Sequence, residues 1–171
     1  MKLLLFFLII PHVLFSQTAQ EHYTKGVEYA KDQKKTLALI EYGLAIEANP
    51  YDWHFYNSRA WINYEIKDLQ SALKDINNAL KLHPKHLNSH SLGIRAKIYL
   101  ELQQYSEAIE DFTYIINYFN EEFATVIGVT HMDRGKAYLY SKQKQLACID
   151  FRESVKRGMN DSQHFINSFC E

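Results

Sequence analysis

Apolar side chains recur along this chain three and four residues apart, over stretches of about 14 residues, which is the spacing of amphipathic helices. Short polar joints separate these stretches, for example at residues 31–35 and 66–68. Pro50 and Pro84 each end a stretch, because proline cannot extend the hydrogen-bond ladder of a helix. The pattern predicts an all-α chain made of consecutive helix pairs.

The helix pairs are copies of one unit. A small residue precedes an alanine by twelve positions in four places, and a large apolar residue follows each alanine by four. The three sets are Gly26, Ala60, Ala96 and Gly135; Ala38, Ala72, Ala108 and Ala147; and Tyr42, Ile76, Phe112 and Phe151. Successive alanines lie 34, 36 and 39 residues apart, so the period indicates a repeat architecture. Closely packed helices need small residues where their axes approach, and each unit is therefore predicted to be a helix hairpin.

A second recurrence pairs a basic residue with an acidic residue sixteen positions later. The pairs are Lys25 with Glu41, Arg59 with Asp75, Arg95 with Asp111, and Arg134 with Asp150. The centre of each pair falls in the turn between two helices, so antiparallel helices would bring the partners level. We interpret them as structural ion pairs that fix each hairpin. The alternative is a basic ladder for an acidic ligand, which is disfavoured because each base has an acid opposite.

At these positions the chain resembles the tetratricopeptide repeat family. The pattern of a small residue, a tyrosine three positions later, an alanine, an aromatic residue and a helix-ending proline matches well from about residue 20 to residue 158. Asn63 replaces the tyrosine in the second copy, and the third and fourth copies lack the proline. The first aromatic position of the family departs from the pattern, with His22, Tyr56, Leu92 and His131 in the four copies. The resemblance implies a right-handed superhelical solenoid.

The solenoid is expected to have about four helix-turn-helix repeats in a domain spanning residues 17–159. The repeats are placed at about 19–50, 53–84, 89–120 and 128–159. A capping helix is expected over residues 160–171, where Phe165, Ile166 and Phe169 form an apolar face. Repeat arrays need such a terminal element to cover the open end of the stack.

The first sixteen residues are predicted to be a secretory signal peptide. Lys2 supplies a positive start, residues 3–10 are continuously apolar, and Ser16 provides a small residue before the expected cut. Cleavage would leave no membrane span and change the charge balance from 19 − 20 to 18 − 20, or −2. That near-neutral balance argues against binding to nucleic acid. The expected location is the periplasm or the cell exterior.

Two cysteines, Cys148 and Cys170, lie on either side of the turn near residue 159. In an antiparallel hairpin they would lie opposite each other, and an exported chain can oxidise them. A disulfide is therefore predicted, with a pair of free buried thiols as the alternative.

The sequence contains none of the common catalytic or phosphate-binding motifs, and no enzyme activity or cofactor is predicted. His83, His86 and His90 form a weak candidate metal site at the joint between two repeats. Pro84 interrupts their spacing and no Cys or carboxylate completes the ligand set. A solvated loop is the favoured interpretation.

In the family that this chain resembles, the first helix of each repeat lines a concave groove that binds partners. That implies groove positions at Tyr23, Asn57, Trp61, Tyr64, His90, Lys97, Met132, Lys136 and Tyr140. Trp61 and Tyr64 are the preferred binding anchors, since large exposed aromatics often carry binding energy. The alternative is that they pack against an adjacent helix.

Some family members hold a peptide's carboxylates with a set of Lys, Arg and Asn side chains. The matching places here are Tyr23, Val27, Ser58, His90 and Ile94, so an adaptor for chaperone tails is disfavoured.

The function expected from these patterns is a non-catalytic scaffold that binds a protein or peptide of unidentified sequence. The chain is similar to small exported bacterial repeat proteins that assist envelope assemblies. A metal-handling protein using the histidine cluster and a self-assembling structural protein are the alternatives. The oligomeric state is left open by the sequence.

Overall fold

The computed structural model describes the backbone of residues 6–83, 89–119 and 124–170, with side chains from Thr18 onward in these ranges except that of Ala124. Every regular element in the described ranges is an α-helix, which confirms the predicted all-α fold class. The helices are α1 (Phe6–Lys31), α2 (Lys35–Ala48), α3 (Trp53–Glu65), α4 (Leu69–Leu82), α5 (Ser89–Glu101), α6 (Tyr105–Tyr118), α7 (Ala124–Tyr140), α8 (Lys144–Lys156) and α9 (Ser162–Phe169). No helix in the described part of the chain has both the length and the apolar character needed to cross a membrane.

The chain divides into two compact units, one ending at His83 and the other beginning at Pro84. The first unit holds the hairpins α1–α2 and α3–α4, and the second holds α5–α6 and α7–α8 followed by α9. Helix α1 begins inside the predicted signal peptide and continues past Ser16. Helix α7 begins four residues before the predicted start at Gly128 (128 − 124), so the first helix of the last repeat is one turn longer than expected.

All four hairpin turns use the same backbone motif. In each, a residue with positive φ follows the first helix: Gln33, Lys67, Gln103 and Lys142. In the first turn, the amide of Gln33 donates to the carbonyl of Ala30 and the amide of Lys34 donates to that of Tyr29. These are the two hydrogen bonds of a Schellman motif, and the other three turns repeat them. The motif satisfies the last carbonyls of one helix and reverses the chain into the next.

The repeat alanines and their large partners form the interior of each hairpin. Ala38, Ala72, Ala108 and Ala147 are fully buried, and so are the rings of Phe112 and Phe151. A Cβ atom added to Gly26 would lie 2.6 Å from the ring of Tyr42, and one added to Gly135 would lie 2.7 Å from Phe151 Cε1. Glycine at these two positions therefore lets an aromatic ring of the second helix lie against the backbone of the first.

Helix α9 covers the end of the second unit. The ring of Phe165 stacks on that of Phe151 at 4.7 Å between centroids. Ser162 Oγ donates to Ser154 Oγ at 2.9 Å, and Ser154 Oγ donates to the carbonyl of Gly128 at 2.8 Å. These contacts satisfy buried polar groups where α7, α8 and α9 meet. The helix itself starts at Ser162, within the predicted 160–171 segment.

Replacing Gly135 by alanine should destabilise the fold by about 2 kcal/mol, because the added methyl overpacks against the ring of Phe151. Gly93→Ala is the matched control, since its Cβ would meet only Ile115 Cδ1 at 3.9 Å. It should be neutral or stabilising by up to about 1 kcal/mol, through the higher helix propensity of alanine. Urea unfolding measures both values, and equal effects of the two variants would contradict this account of the hairpin interior.

Candidate functional site

The predicted groove residues of the first unit lie on α1 and α3, the first helices of its two hairpins. Tyr23 is a packing residue: its ring lies 5.0 Å from that of Phe55 and 5.8 Å from that of Tyr42, centroid to centroid. Its hydroxyl lies 3.3 Å from Ser58 Oγ, which joins α1 to α3. Asn57 is buried as well. These two predicted groove residues therefore contribute mainly to the interior of the unit.

Trp61 and Tyr64 form an aromatic pair on α3, with ring centroids 5.6 Å apart. Both side chains are half-buried. One side of Trp61 packs against the core cluster of Ala38, Tyr42 and Ile62. The Nζ atom of Lys67 lies 5.3 Å from the ring centroid of Tyr64. Trp61 is thus held by the core and Tyr64 lies beside it, while both side chains keep part of their surface exposed.

In the second unit, two predicted groove lysines converge on one carboxylate. Lys136 Nζ donates to Asp133 Oδ1 at 2.9 Å on α7, and Lys97 Nζ of α5 lies 3.8 Å from Asp133 Oδ2. Asp133 is buried and therefore sets the positions of both ammonium groups. Sequence reasoning missed Asp133, although its position three residues before Lys136 was a usable signal for a helical ion pair.

The remaining predicted groove residues of the second unit lie around this charged group. Met132 is half-buried, and Tyr140 is exposed with its ring 6.0 Å from that of Tyr105. Desolvation by surrounding protein atoms, and then the positive charge of Lys97, lower the pKa of His90. His90 therefore favours its neutral form more than a free histidine does. The face of α5 and α7 combines fixed cations with a thioether and an accessible phenol.

Three of the four expected base–acid pairs are present as two-pronged ion pairs. Arg59, Arg95 and Arg134 each donate through Nε and Nη2 to the two carboxylate oxygens of Asp75, Asp111 and Asp150, at 2.7 to 2.8 Å. All three carboxylates are buried. The planar guanidinium donates two parallel hydrogen bonds to one carboxylate in this geometry, and the single ammonium group of a lysine cannot do so.

The first hairpin departs from the expected pairing of Lys25 with Glu41. Glu41 Oε2 lies 2.7 Å from His22 Nδ1, and Lys25 is exposed. The prediction of a Lys25–Glu41 pair is therefore wrong. The reason is that a lysine lacks the fork that fixes the arginine pairs, while His22, one helical turn earlier on α1, reaches the longer Glu41 side chain.

His131 explains why histidine replaces the family's aromatic residue in two repeats. It occupies the repeat position of His22, and its Nδ1 lies 2.8 Å from Asp150 Oδ1. Burial by itself raises the pKa of Asp150, but hydrogen bonds from Arg134 and His131 and their positive charge lower it below its ordinary value. Asp150 is therefore held as a carboxylate by two partners.

The candidate histidine metal site gains no support from the described residues. His86 lies outside them, and the ring of His83 packs 4.8 Å from that of Trp53. Within the described ranges, no group of three or more His, Cys, Asp or Glu side chains has a geometry that could hold a metal ion.

The structure contains a disulfide between Cys148 of α8 and Cys170, which follows α9, with their Cα atoms 5.6 Å apart. The two cysteines are 22 positions apart along the chain, and the bond encloses the turn that precedes α9. The bond ties the end of the chain to α8, beside the stacked rings of Phe151 and Phe165. Cross-links of this kind stabilise mainly by restricting the unfolded chain.

The geometry defines a class of protein, an all-helical repeat protein. Ion pairs and aromatic rings hold the two helices of each hairpin together, and the first helices stay partly accessible. Several curated relatives match this chain, and two of them illustrate the similarity. The Hsp70-Hsp90 organising protein of Plasmodium falciparum (isolate 3D7) is 31% identical over 153 residues, covering 86% of this chain and 26% of the relative. Human Tetratricopeptide repeat protein 4 is 32% identical over 97 residues, covering 54% of this chain and 24% of the relative. The chain thus spans about a quarter of the length of these relatives.

Solved structures give the same result. The first repeat domain of Spaghetti, bound to the HSP90 peptide SRMEEVD, superposes with a TM-score of 0.59 at 25% identity, covering 67% of this chain and 91% of that one. The TPR2B domain of yeast Sti1, in its pHsp70 complex, gives 0.63 at 23% identity, covering 75% and 99%. No protein-family model matches the chain. The chain is a tetratricopeptide-repeat protein, as the sequence resemblance indicated.

Replacing Asp150 by asparagine should destabilise the fold by about 3 kcal/mol at neutral pH, because Arg134 would lose its buried counter-charge. The pKa of Asp150 is lower in the folded state than in the unfolded chain, so its contribution is complete above the unfolded value and is lost as pH falls through the folded one. The difference in unfolding free energy between the wild type and Asp150→Asn should therefore shrink below about pH 4.

Urea unfolding between neutral and acidic pH measures this difference. Asp161→Asn is the control, because Asp161 is exposed and makes no capping hydrogen bond with its side chain. A difference between wild type and Asp150→Asn that does not change with pH would contradict the role given to the ion pair.

Proposed function

We propose that this protein is a non-catalytic scaffold that binds a peptide or a helix of a partner protein on the first helices of its repeats. The observation that carries the proposal is the Trp61–Tyr64 pair, in which Trp61 packs on the core, Tyr64 lies against Trp61, and both side chains stay partly exposed. Aromatic rings fixed in this way lose little conformational freedom when a partner covers them. The family relatives support the proposal, since the Spaghetti and Sti1 domains were solved with peptides or in complex.

The second unit has a polar surface of its own that suits a protein partner. The ammonium groups of Lys97 and Lys136 are held by one carboxylate, that of Asp133, so two positive charges face one negative charge. Such a group can accept a partner's acidic side chain or its carbonyl oxygens without leaving a lysine buried and uncompensated. Tyr140, with 54% of its surface exposed, gives an aromatic contact on the same helix as Lys136.

The partner we propose differs from the chaperone tails named for the solved relatives. Ile94, at one of the five positions that would hold a terminal carboxylate, is buried, and Val27 packs against the core cluster of the first unit. Tyr23 and Ser58 bond each other at two more of these positions. Side chains of this kind provide no charge to compensate a carboxylate. We therefore expect selection for aromatic and aliphatic side chains rather than for an acidic terminus.

We also propose that the protein acts after export, in the periplasm or outside the cell, because residues 1–16 have the anatomy of a signal peptide and a disulfide is formed by the two cysteines. Intact-mass measurement of the protein recovered from the envelope and medium tests this part. A chain beginning at Gln17 supports export, and an unprocessed chain confined to the cytoplasm contradicts it.

Peptides selected from a random displayed library on the folded chain should lose at least about tenfold in affinity when Tyr64 is replaced by alanine, as expected for an aromatic anchor. The variant Tyr51→Ala is the control, since Tyr51 is a tyrosine of the same unit with 81% of its surface exposed, outside α3. It should leave affinity unchanged.

Trp61 can report binding directly. The chain has two tryptophans, Trp53 and Trp61, and Trp53→Phe leaves Trp61 as the sole indole emitter. Titration with a selected peptide should shift the Trp61 emission, and the peptide SRMEEVD should leave it unchanged. Equal affinities for wild type and Tyr64→Ala, with no change in Trp61 emission, would contradict the proposed binding surface.

A further inference from the structure

The outer face of α2 carries a row of apolar side chains that the fold of the first unit does not use. Leu37, Ile40 and Leu44 are exposed, with Ile40 at 53%, and they lie three and four residues apart on one side of the helix. The opposite side of α2 holds the buried residues Ala38, Tyr42 and Ala45. The helix is therefore apolar on both sides, although only one of them packs within its own unit.

The repeat itself does not require this row. The positions equivalent to Leu37 and Ile40 are Ser71 and Lys74 in α4, and Glu107 and Glu110 in α6. Those are the polar residues expected on an outer face in contact with water. The fourth repeat keeps exposed Leu146 and Ile149 at these two positions but has Glu153 where α2 has Leu44. Among the four second helices, only α2 therefore carries all three apolar side chains of the row, which indicates a contact specific to that copy.

Charges at the two ends of the row indicate what covers it. Lys34 lies one turn before Leu37 and Glu47 lies one turn after Leu44. If a second α2 lies antiparallel across the row, with a twofold axis beside Ile40, Leu37 meets Leu44 of the other copy. The same register places Lys34 of each copy opposite Glu47 of the other. The row is thus complementary to itself in both shape and charge.

The charged end of the row is free to take part in this pairing. Lys34 is bonded to Asp32 at 3.0 Å, but both side chains are more than half exposed, so that local pair can exchange for a new one at little cost.

We propose that this protein forms a twofold symmetric dimer through antiparallel pairing of its α2 helices, with Leu37, Ile40 and Leu44 at the centre and Lys34–Glu47 pairs at both ends. This interface lies on the second helix of a hairpin, away from the Trp61–Tyr64 pair of α3. The dimer would present two copies of the binding unit to a partner and raise its apparent affinity through bivalency.

Sedimentation equilibrium of the purified chain tests the proposal. One helix face per copy buries less than the roughly 1,600 Å² of a typical stable interface, so the dimer should dissociate on dilution through the micromolar range. Ile40→Glu should be monomeric at every concentration, because it buries a carboxylate at the centre of the row. Circular dichroism checks that each variant is folded.

The fourth repeat provides a matched control. Ile149 of α8 is equivalent to Ile40 and is 60% exposed, but the positions equivalent to Lys34 and Glu47 are Gln143 and Lys156, which are not complementary. Ile149→Glu should leave dimerisation unchanged. A wild-type chain that is monomeric at all concentrations would overturn the proposal. A dimer kept by the folded Ile40→Glu variant would overturn it as well, whether or not Ile149→Glu dissociates, because association would then not depend on α2.

A charge exchange tests the register and distinguishes a second copy from an unrelated partner. Lys34→Glu should weaken the dimer at least about tenfold, because like charges then face each other twice across the axis. The double variant Lys34→Glu, Glu47→Lys should restore dimerisation, since it exchanges the two ends. Failure of the double variant to restore it, in a folded chain, would overturn the antiparallel register.

Discussion

The structure depends on how closely the two helices of each hairpin approach each other. Where Gly26 faces Tyr42 and Gly135 faces Phe151, the ring lies so near the opposing backbone that even a methyl group would not fit. In the middle repeats, fully buried alanines occupy the same position. The close approach fixes how the two helices are aligned along their length. It therefore determines which side chains lie opposite each other, including the partners of the ion pairs. It also decides which side of each helix is left for partners.

The charges serve two purposes that the structure separates. The arginine–aspartate pairs are buried within hairpins, where each guanidinium meets both oxygens of one carboxylate. They are committed to the fold and cannot bind a ligand without breaking it. The lysines at Lys97 and Lys136 are positioned by Asp133 near the surface and keep part of their ammonium groups accessible. Binding chemistry is therefore expected from lysines and aromatics of the first helices, while the arginines fix the scaffold.

The repeat period, the small-to-large pairing and the hairpin turns could be read from the sequence, because each follows from local spacing that recurs in four copies. The start of α7 could not, since it lies one turn before the predicted residue 128. The partner of Glu41 could not be read in this way. The sixteen-residue spacing is the same for lysine and arginine, although a lysine holds a carboxylate less firmly, and Glu41 pairs with His22 instead of Lys25. Asp133 was missed for a related reason: its role depends on Lys97, which belongs to a different helix. The packing of Tyr23 against Phe55 and the burial of Asn57 also depend on contacts between helices that one helical face does not reveal.

The measurement that tests the central claim most directly is hydrogen exchange of the folded chain with and without a selected peptide, resolved helix by helix. If the first helices bind partners, exchange should slow in α3 and in the facing part of α1, or in α5 and α7, because bound partners suppress local opening. The outer helices α4 and α6 should be unaffected. Slowing confined to α2, α4, α6 or α8, with no change in the first helices, would contradict the account.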